Sequence, residues 1–257
     1  MKYEGSAARS LTTVQSTSDL IEQQLRHSGY WVGNYFNYFV TLAHRSDDWR
    51  AFLQTWDSLP PDEFMADGGK YRRRRFTELR YSVLNDEIGI LPHRPFFQDK
   101  YTNTLNGGVD RYFEPITPYI ATHPFIKRMI RDYVAIFTRY KDVAVWQVYL
   151  HQVRITSSRG VAGFPTPEGI HKDGVTFSSL FCVNRTDNCT GAENSIYDND
   201  KALLESFTLK RYGDLVIFDD SKVYHSVSQM NTSDDGVASR DMLFLEFTAQ
   251  GAEHVAS

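Results

Sequence analysis

The segment Gly213-Asp214-Leu215-Val216-Ile217-Phe218-Asp219-Asp220-Ser221-Lys222-Val223-Tyr224-His225-Ser226-Val227 reads as an apolar strand, a polar turn and a return strand carrying a histidine. A short apolar run bounded by turn residues is the pattern of a buried strand. Working outward, comparable short segments fill the second half of the chain, at 144–156, 175–184, 194–198, 205–210, 214–219, 223–229 and 241–248. So many short strands, with helical patterns gathered in the first half, predict an α+β architecture. Their closed solution is a double-sheet jelly roll of the cupin kind, a double-stranded β-helix.

The expected layout is one domain over 1–257, with N-terminal helices buttressing a jelly-roll core at 143–250 and residues 16–142 mainly a helical annex. Residues 1–15 are small and polar and are expected to be flexible. Asp19 with Glu22 reads as a capping box. Ser46 is placed to cap a helix whose Trp49, Phe52, Leu53 and Trp56 fall at i, i+3, i+4 and i+7, and Pro60-Pro61 ends it. A third helix opens near Thr122-His123-Pro124, with Ile126, Met129, Ile130, Tyr133, Phe137 and Tyr140 on its core face.

Bulk composition narrows the function. A net charge of −4 argues against nucleic acid or an anionic membrane as main partner. No apolar run reaches the ~20 residues of a membrane span, and the N-terminus lacks a signal-peptide pattern, so a cytoplasmic protein is expected. Aromatic residues make up 14% of the chain, which suits a β-rich body around a lined cavity. Cys182 and Cys189 fit neither a CxxC motif nor a four-ligand zinc site and are read as free thiols.

The chemistry-bearing segment is Pro167-Glu168-Gly169-Ile170-His171-Lys172-Asp173-Gly174. His-x-Asp arises readily by chance, but alternation along an extended chain puts His171 and Asp173 on one side, where they can share a metal. His225 is the candidate third ligand; its plainer reading is a hydrogen-bonded histidine at a strand start. Two His and one carboxylate fill one face of a ferrous ion and leave the opposite face open to O2 and a co-substrate. Arg240 opens the apolar run Asp241-Met242-Leu243-Phe244-Leu245-Glu246-Phe247 beside the His225 strand. A guanidinium there can grip the distal carboxylate of 2-oxoglutarate through a two-pronged fork, unless it is an ordinary surface arginine.

Other candidates carry competing readings. Gln152 and Arg154 share a strand face, and either could reach the co-substrate carboxylate nearest the metal; Arg154 could instead pair with a buried acid. Arg72 to Arg75 read either as a charge-protected edge strand or as a strand with one side turned into the cavity to bind a substrate carboxylate. Asn106-Gly107-Gly108 marks a tight turn needing positive φ. Glu168 and Asn184 are polar neighbours of the metal segment, and His151 and His123 are read as core or capping histidines.

With these residues in view, the chain resembles the bacterial 2-oxoglutarate–Fe(II) dioxygenase family of free-amino-acid hydroxylases, isoleucine dioxygenase among them, and the related proteins named for biofilm stress and motility. The resemblance runs from about Tyr71 to Phe247. It covers Tyr71-Arg72-Arg73-Arg74-Arg75-Phe76, Asn106-Gly107-Gly108-Val109 and Trp146 to Ile155, then Pro165 to Gly174 and Ser195-Ile196-Tyr197-Asp198. It implies a jelly roll, Fe(II) on His171, Asp173 and His225, 2-oxoglutarate on Arg240, and hydroxylation of a small substrate, a free amino acid. One departure stands out. Relatives in the wider superfamily place Ser or Thr two residues after the arginine, where this chain has Met242. Two rival readings are a non-catalytic jelly-roll sensor of a metal or small ligand and a zinc hydrolase on the same three ligands. The hydrolase finds no use for Arg240.

Overall fold

The computed structural model describes residues 17–39 and 47–250. Helix α1 (Thr17–Ser28) leads into strand β1 (Tyr30–Asn34) and the short helix α2 (Tyr35–Tyr38). Helix α3 (Asp47–Gln54) tightens into a 3-10 turn at Thr55–Ser58. Strands β2 (Arg72–Ser82) and β3 (Glu87–Ile90) follow, then helices α4 (Pro118–Ala121) and α5 (Pro124–Tyr140). The second half begins with β4 (Val145–Ser157), β5 (Phe177–Arg185), β6 (Cys189–Gly191), β7 (Asn194–Tyr197) and β8 (Leu203–Phe207). It ends with β9 (Asp214–Asp219), β10 (Tyr224–Val227), β11 (Met230–Thr232) and β12 (Ala238–Gln250).

Among the described residues the strands form a seven-stranded sheet in the order β1-β9-β5-β12-β4-β2-β3, a three-stranded sheet β10-β7-β8 and a pair β11-β6. Every pairing within them is antiparallel. The fold is the α+β jelly roll that the strand pattern predicts.

The large sheet has two faces with different tasks, because successive side chains on a strand point to opposite sides. On β4, Trp146, Val148 and Leu150 join the core beneath the helices, with Ile126, Met129, Ile130, Tyr133 and Phe137 of α5. Phe137 stacks flat on Phe177 of β5 at 4.1 Å between ring centres. Val153 and Ile155 belong to a separate cluster on the inner face. Helix α5 starts as its sequence suggests: Pro124 needs no N–H partner, and His123 Nδ1 accepts from the Phe125 amide at 3.2 Å.

Three expectations are corrected. Residues 16–142 are not simply a helical annex, since β1, β2 and β3 lie there and join the same large sheet as the second-half strands. β2 pairs with β4 from Arg72–Ile155 to Ser82–Val145. Its arginines hide it from a hydrophobicity reading because the inner face of this sheet takes polar groups. The exposed-edge reading of Arg72 to Arg75 also fails: Arg72 and Arg74 are buried, and the Pro61 and Pro115 segments bridge to β2 at Arg73 and Phe76. Helix α1 starts at Thr17, so Asp19 sits in its first turn rather than capping it. The expected flexibility of 1–15 and the cap at Ser46 lie outside the described residues. No helix among the described residues is long and apolar enough to cross a membrane.

Candidate active site

His171 sits in the loop between β4 and β5 rather than in a strand, a difference from the extended strand that its spacing suggests. One antiparallel bridge ties it to His225 on β10, each backbone N–H donating to the other's carbonyl at 3.0 Å. Residues directly opposite in such a pair turn their side chains the same way. The two imidazoles accordingly lie 4.2 Å apart, centre to centre. Asp173 turns into the same space, its Oδ1 3.5 Å from His171 Nε2 and 3.7 Å from His225 Nε2. One ligand atom from each residue lies within 4.8 Å of the other two. Ligands about 2.1 Å from a shared ion stand roughly 3 Å apart in an octahedral array, so the set fits a cation with small adjustments.

Supporting contacts aim each group. His171 Nδ1 is 2.9 Å from the Gly169 carbonyl, so it donates there and leaves the Nε2 lone pair facing the centre. Ser178 on β5 donates to Asp173 Oδ2 at 2.6 Å, and Gln98 donates to the Asp173 carbonyl at 3.1 Å. Asp220, in the turn after β9, accepts the amides of Asp173 and Gly174 at 2.8 Å and of Val175 at 3.2 Å. The Phe218 ring packs 4.6 Å from His225.

The electrostatics are those of a cation site. Burial opposes ionisation of Asp173, but His225 and His171 hold its carboxyl well below the usual range. Burial also opposes charge on His171, yet the hydrogen bond with Asp173 and the charge of Glu168 push it up to about 9. Burial takes His225 down to about 4. Asp173 is therefore an anion at neutral pH, and a metal dication would displace the proton on His171.

Arg240 opens the second end of the cavity from β12. It is 1% exposed, and no carboxylate pairs with it among the described residues. Its one hydrogen bond there is long, Nη2 to Asn194 Oδ1 at 3.5 Å, and its Nε has no partner. Burial lowers it to about 10, which still leaves it cationic at neutral pH. Met242, one inward position further along β12, is fully buried among apolar neighbours. One cavity is lined by His171, Asp173, His225 and Arg240 together, with Leu180, Val227 and Phe244 as its apolar wall.

A family model for the 2OG-Fe dioxygenases matches residues 53–246, a span that holds all four residues. The chain belongs to the 2OG-Fe dioxygenase family. It is 27% identical over 186 residues to L-isoleucine-4-hydroxylase of Bacillus thuringiensis, covering 70% of this chain and 76% of that protein. Among solved structures it is similar to a BsmA homologue from Methylobium petroleophilum PM1, with TM-score 0.81 and 28% identity over 93% of this chain and 96% of that one. IDO from Bacillus thuringiensis shares the fold, with TM-score 0.73 and 18% identity over 98% and 99% of the two chains.

As a member of the 2OG-Fe dioxygenase family, the protein is a non-haem iron enzyme that uses Fe(II), 2-oxoglutarate and O2. Two polar residues proposed from sequence lie elsewhere. Gln152 is on the helix-facing side of β4, donating to Thr55 Oγ1 at 2.9 Å, so it cannot reach the co-substrate. Arg154 shares that side and pairs with Asp241 at 2.6 Å and Asp57 at 2.9 Å, the buried-acid alternative. Asn184 is exposed, opposite Asp241 in register. His151 is buried as expected, but on the inner face, with Nδ1 2.6 Å from Arg74 Nη2.

Sequence reasoning passed over Ser178, Asp220, Arg111 and Glu246. Asp220 carried a signal, as a second acid in the polar turn before His225. Because it holds three consecutive amides of the ligand loop, Asp220→Ala is expected to cost about 10- to 100-fold in Fe(II) affinity. Metal titration of the variant checks this, and an unchanged affinity would show that the loop keeps its shape unaided.

Proposed function

We propose that the protein hydroxylates a C–H bond of a free amino acid, with Fe(II) on His171, Asp173 and His225 and the 2-oxoglutarate tail on Arg240. The observation that carries this reading is one cavity with a preassembled anionic donor set near one part and a buried, carboxylate-free guanidinium in another. Iron bound there would supply the oxygen activation and C–H oxidation that side chains alone do not provide.

The chain's own residues supply geometry. Gly169 O fixes the tautomer of His171, Ser178 holds one oxygen of Asp173, and Asp220 holds the loop between them. Arg240 meets the distal carboxylate with two donors on one plane. Asn194 Oδ1 lies beside that guanidinium and accepts from its Nη2, which helps aim the arginine. Leu180, Val227 and Phe244 keep water away from the reacting centre. The amino-acid class of substrate draws support from the resemblance to the isoleucine hydroxylase. The sensor reading leaves a two-histidine, one-carboxylate donor set suited to redox-active iron without purpose.

The anaerobic visible spectrum tests the assignment. Adding Fe(II) and then 2-oxoglutarate to metal-stripped protein is expected to give a weak charge-transfer band that needs both additions. A screen of amino acids for succinate release then identifies the substrate. Bound iron with no band on adding 2-oxoglutarate would sink the co-substrate assignment.

A further inference from the structure

The inner face of the large sheet carries a second, separate group of buried arginines. Arg72 and Arg74 project from β2, and Arg111, from the segment between β3 and α4, lines the same cavity. All three are under a tenth exposed. Arg72 has a dedicated counter-ion, Asp62, at 2.6 Å. No carboxylate forms an ion pair with Arg74 or Arg111 among the described residues. Arg74 Nη2 meets His151 Nδ1 at 2.6 Å, and Arg111 Nη2 donates to Gln98 Oε1 at 2.7 Å. Their guanidinium carbons sit over aromatic rings, Arg74 4.2 Å from the centre of Phe113 and Arg111 4.8 Å from that of Phe96.

Donors are left over. Arg72 Nη2, Arg74 Nε and Arg111 Nε are buried without a partner. A buried guanidinium without an anion is costly, and three crowded together repel one another. Burial, together with that crowding, lowers Arg74 to about 9 and Arg111 to about 10. Glu168 and Glu246 line the same cavity, but neither comes within ion-pair distance of these arginines. Glu246 sits beside His151, its Oε2 3.6 Å from His151 Nε2. Glu168 lies at the metal end, 3.5 Å from His171 Nε2.

This group is not part of the Arg240 site. In register, Arg72 stands opposite Ile155, and Ile155 opposite Arg240. The two arginines are therefore two strand spacings apart, about 10 Å between their backbones.

We propose that Arg72, Arg74 and Arg111 form the site that binds a carboxylate of the prime substrate, with Arg74 and Arg111 as its free charges and Asp62 holding Arg72 in place. This rests on the reading that Arg240 holds the co-substrate. The carboxylate is either the α-carboxylate of an amino acid or a side-chain acid, and both present the same planar pair of acceptors to the guanidinium forks.

Isothermal titration calorimetry of the full chain with Zn(II) and 2-oxoglutarate tests it. The probes are the L-amino acids, their α-amides and short dicarboxylic acids. Heats from zinc and 2-oxoglutarate report the metal and Arg240 sites on their own, so failure of that reading is seen separately. At least one carboxylate is expected to bind, and amidation of the recognised carboxyl should abolish its binding. Arg111→Gln and, independently, Arg74→Gln should weaken it by about 10- to 100-fold while leaving zinc and 2-oxoglutarate affinities unchanged. Arg111→Lys should recover only part. Loss on α-amidation of a neutral amino acid assigns the α-carboxylate; preference for aspartate or glutamate that survives α-amidation assigns the side chain. The proposal is overturned if no carboxylate binds, if amidating every carboxyl a ligand carries leaves its binding unchanged, or if the glutamine variants lose 2-oxoglutarate instead.

Discussion

Asp173→Ala is expected to lose more than ~100-fold in Fe(II) affinity and to release no detectable succinate from 2-oxoglutarate, while remaining folded. Ligand-orienting residues alone are worth about 10- to 100-fold in metal affinity, so the ligand itself should be worth more. Two neutral imidazoles without a carboxylate also forfeit the charge that attracts a dication. The fold should survive because the core beneath the helices does not include Asp173. Thermal stability of the metal-free variant should fall modestly at neutral pH, since the Asp173 carboxylate and the His171 imidazolium hold each other charged and Ser178 loses its acceptor. Anaerobic iron titration paired with thermal melting checks both halves. Wild-type succinate release by Asp173→Ala would place the iron elsewhere.

The second large effect is expected at Arg240. Removing the guanidinium leaves the distal carboxylate of 2-oxoglutarate in a buried space without a counter-charge, a loss of about 2–5 kcal/mol for one partner of a buried, hydrogen-bonded pair. That corresponds to roughly 30-fold or more in affinity. In Arg240→Ala the KM for 2-oxoglutarate should rise accordingly, while Fe(II) binding is unchanged. The variant should also lose discrimination between 2-oxoglutarate and 2-oxobutyrate, which lacks the distal carboxylate. Arg240→Lys should recover only part of the affinity, because an ammonium cannot present a planar fork. Steady-state kinetics with both oxo acids decide the matter. Undiminished preference for 2-oxoglutarate in Arg240→Ala would move the tail to another cation, with Arg72 and Arg74 the next candidates in the cavity.

The arginines of β2 illustrate how far sequence reading carries. Alternation alone divides Arg72 and Arg74 from Arg73 and Arg75. Which pair faces the cavity depends on the pairing of β2 with β4, and that is a long-range fact. Gln152 failed for the same reason. Its face on β4 was correctly shared with Arg154, but that face looks at the helices, where Thr55 takes its amide. A period of two assigns residues to the same side of a strand without saying which side is the interior. In this sheet both sides are buried, so hydrophobicity could not break the tie.

By itself the sequence determined the α+β jelly roll and the segments that carry His171, Asp173, His225 and Arg240, because strand patterning and motif spacing are local properties. Only the tertiary structure decided that a single backbone bridge sets His171 against His225, that Asp220 clamps the ligand loop, and that Arg74 and Arg111 line one cavity without an ion pair among the described residues. Those facts join residues far apart in the chain, and sheet register and loop closure, rather than local preference, bring them together.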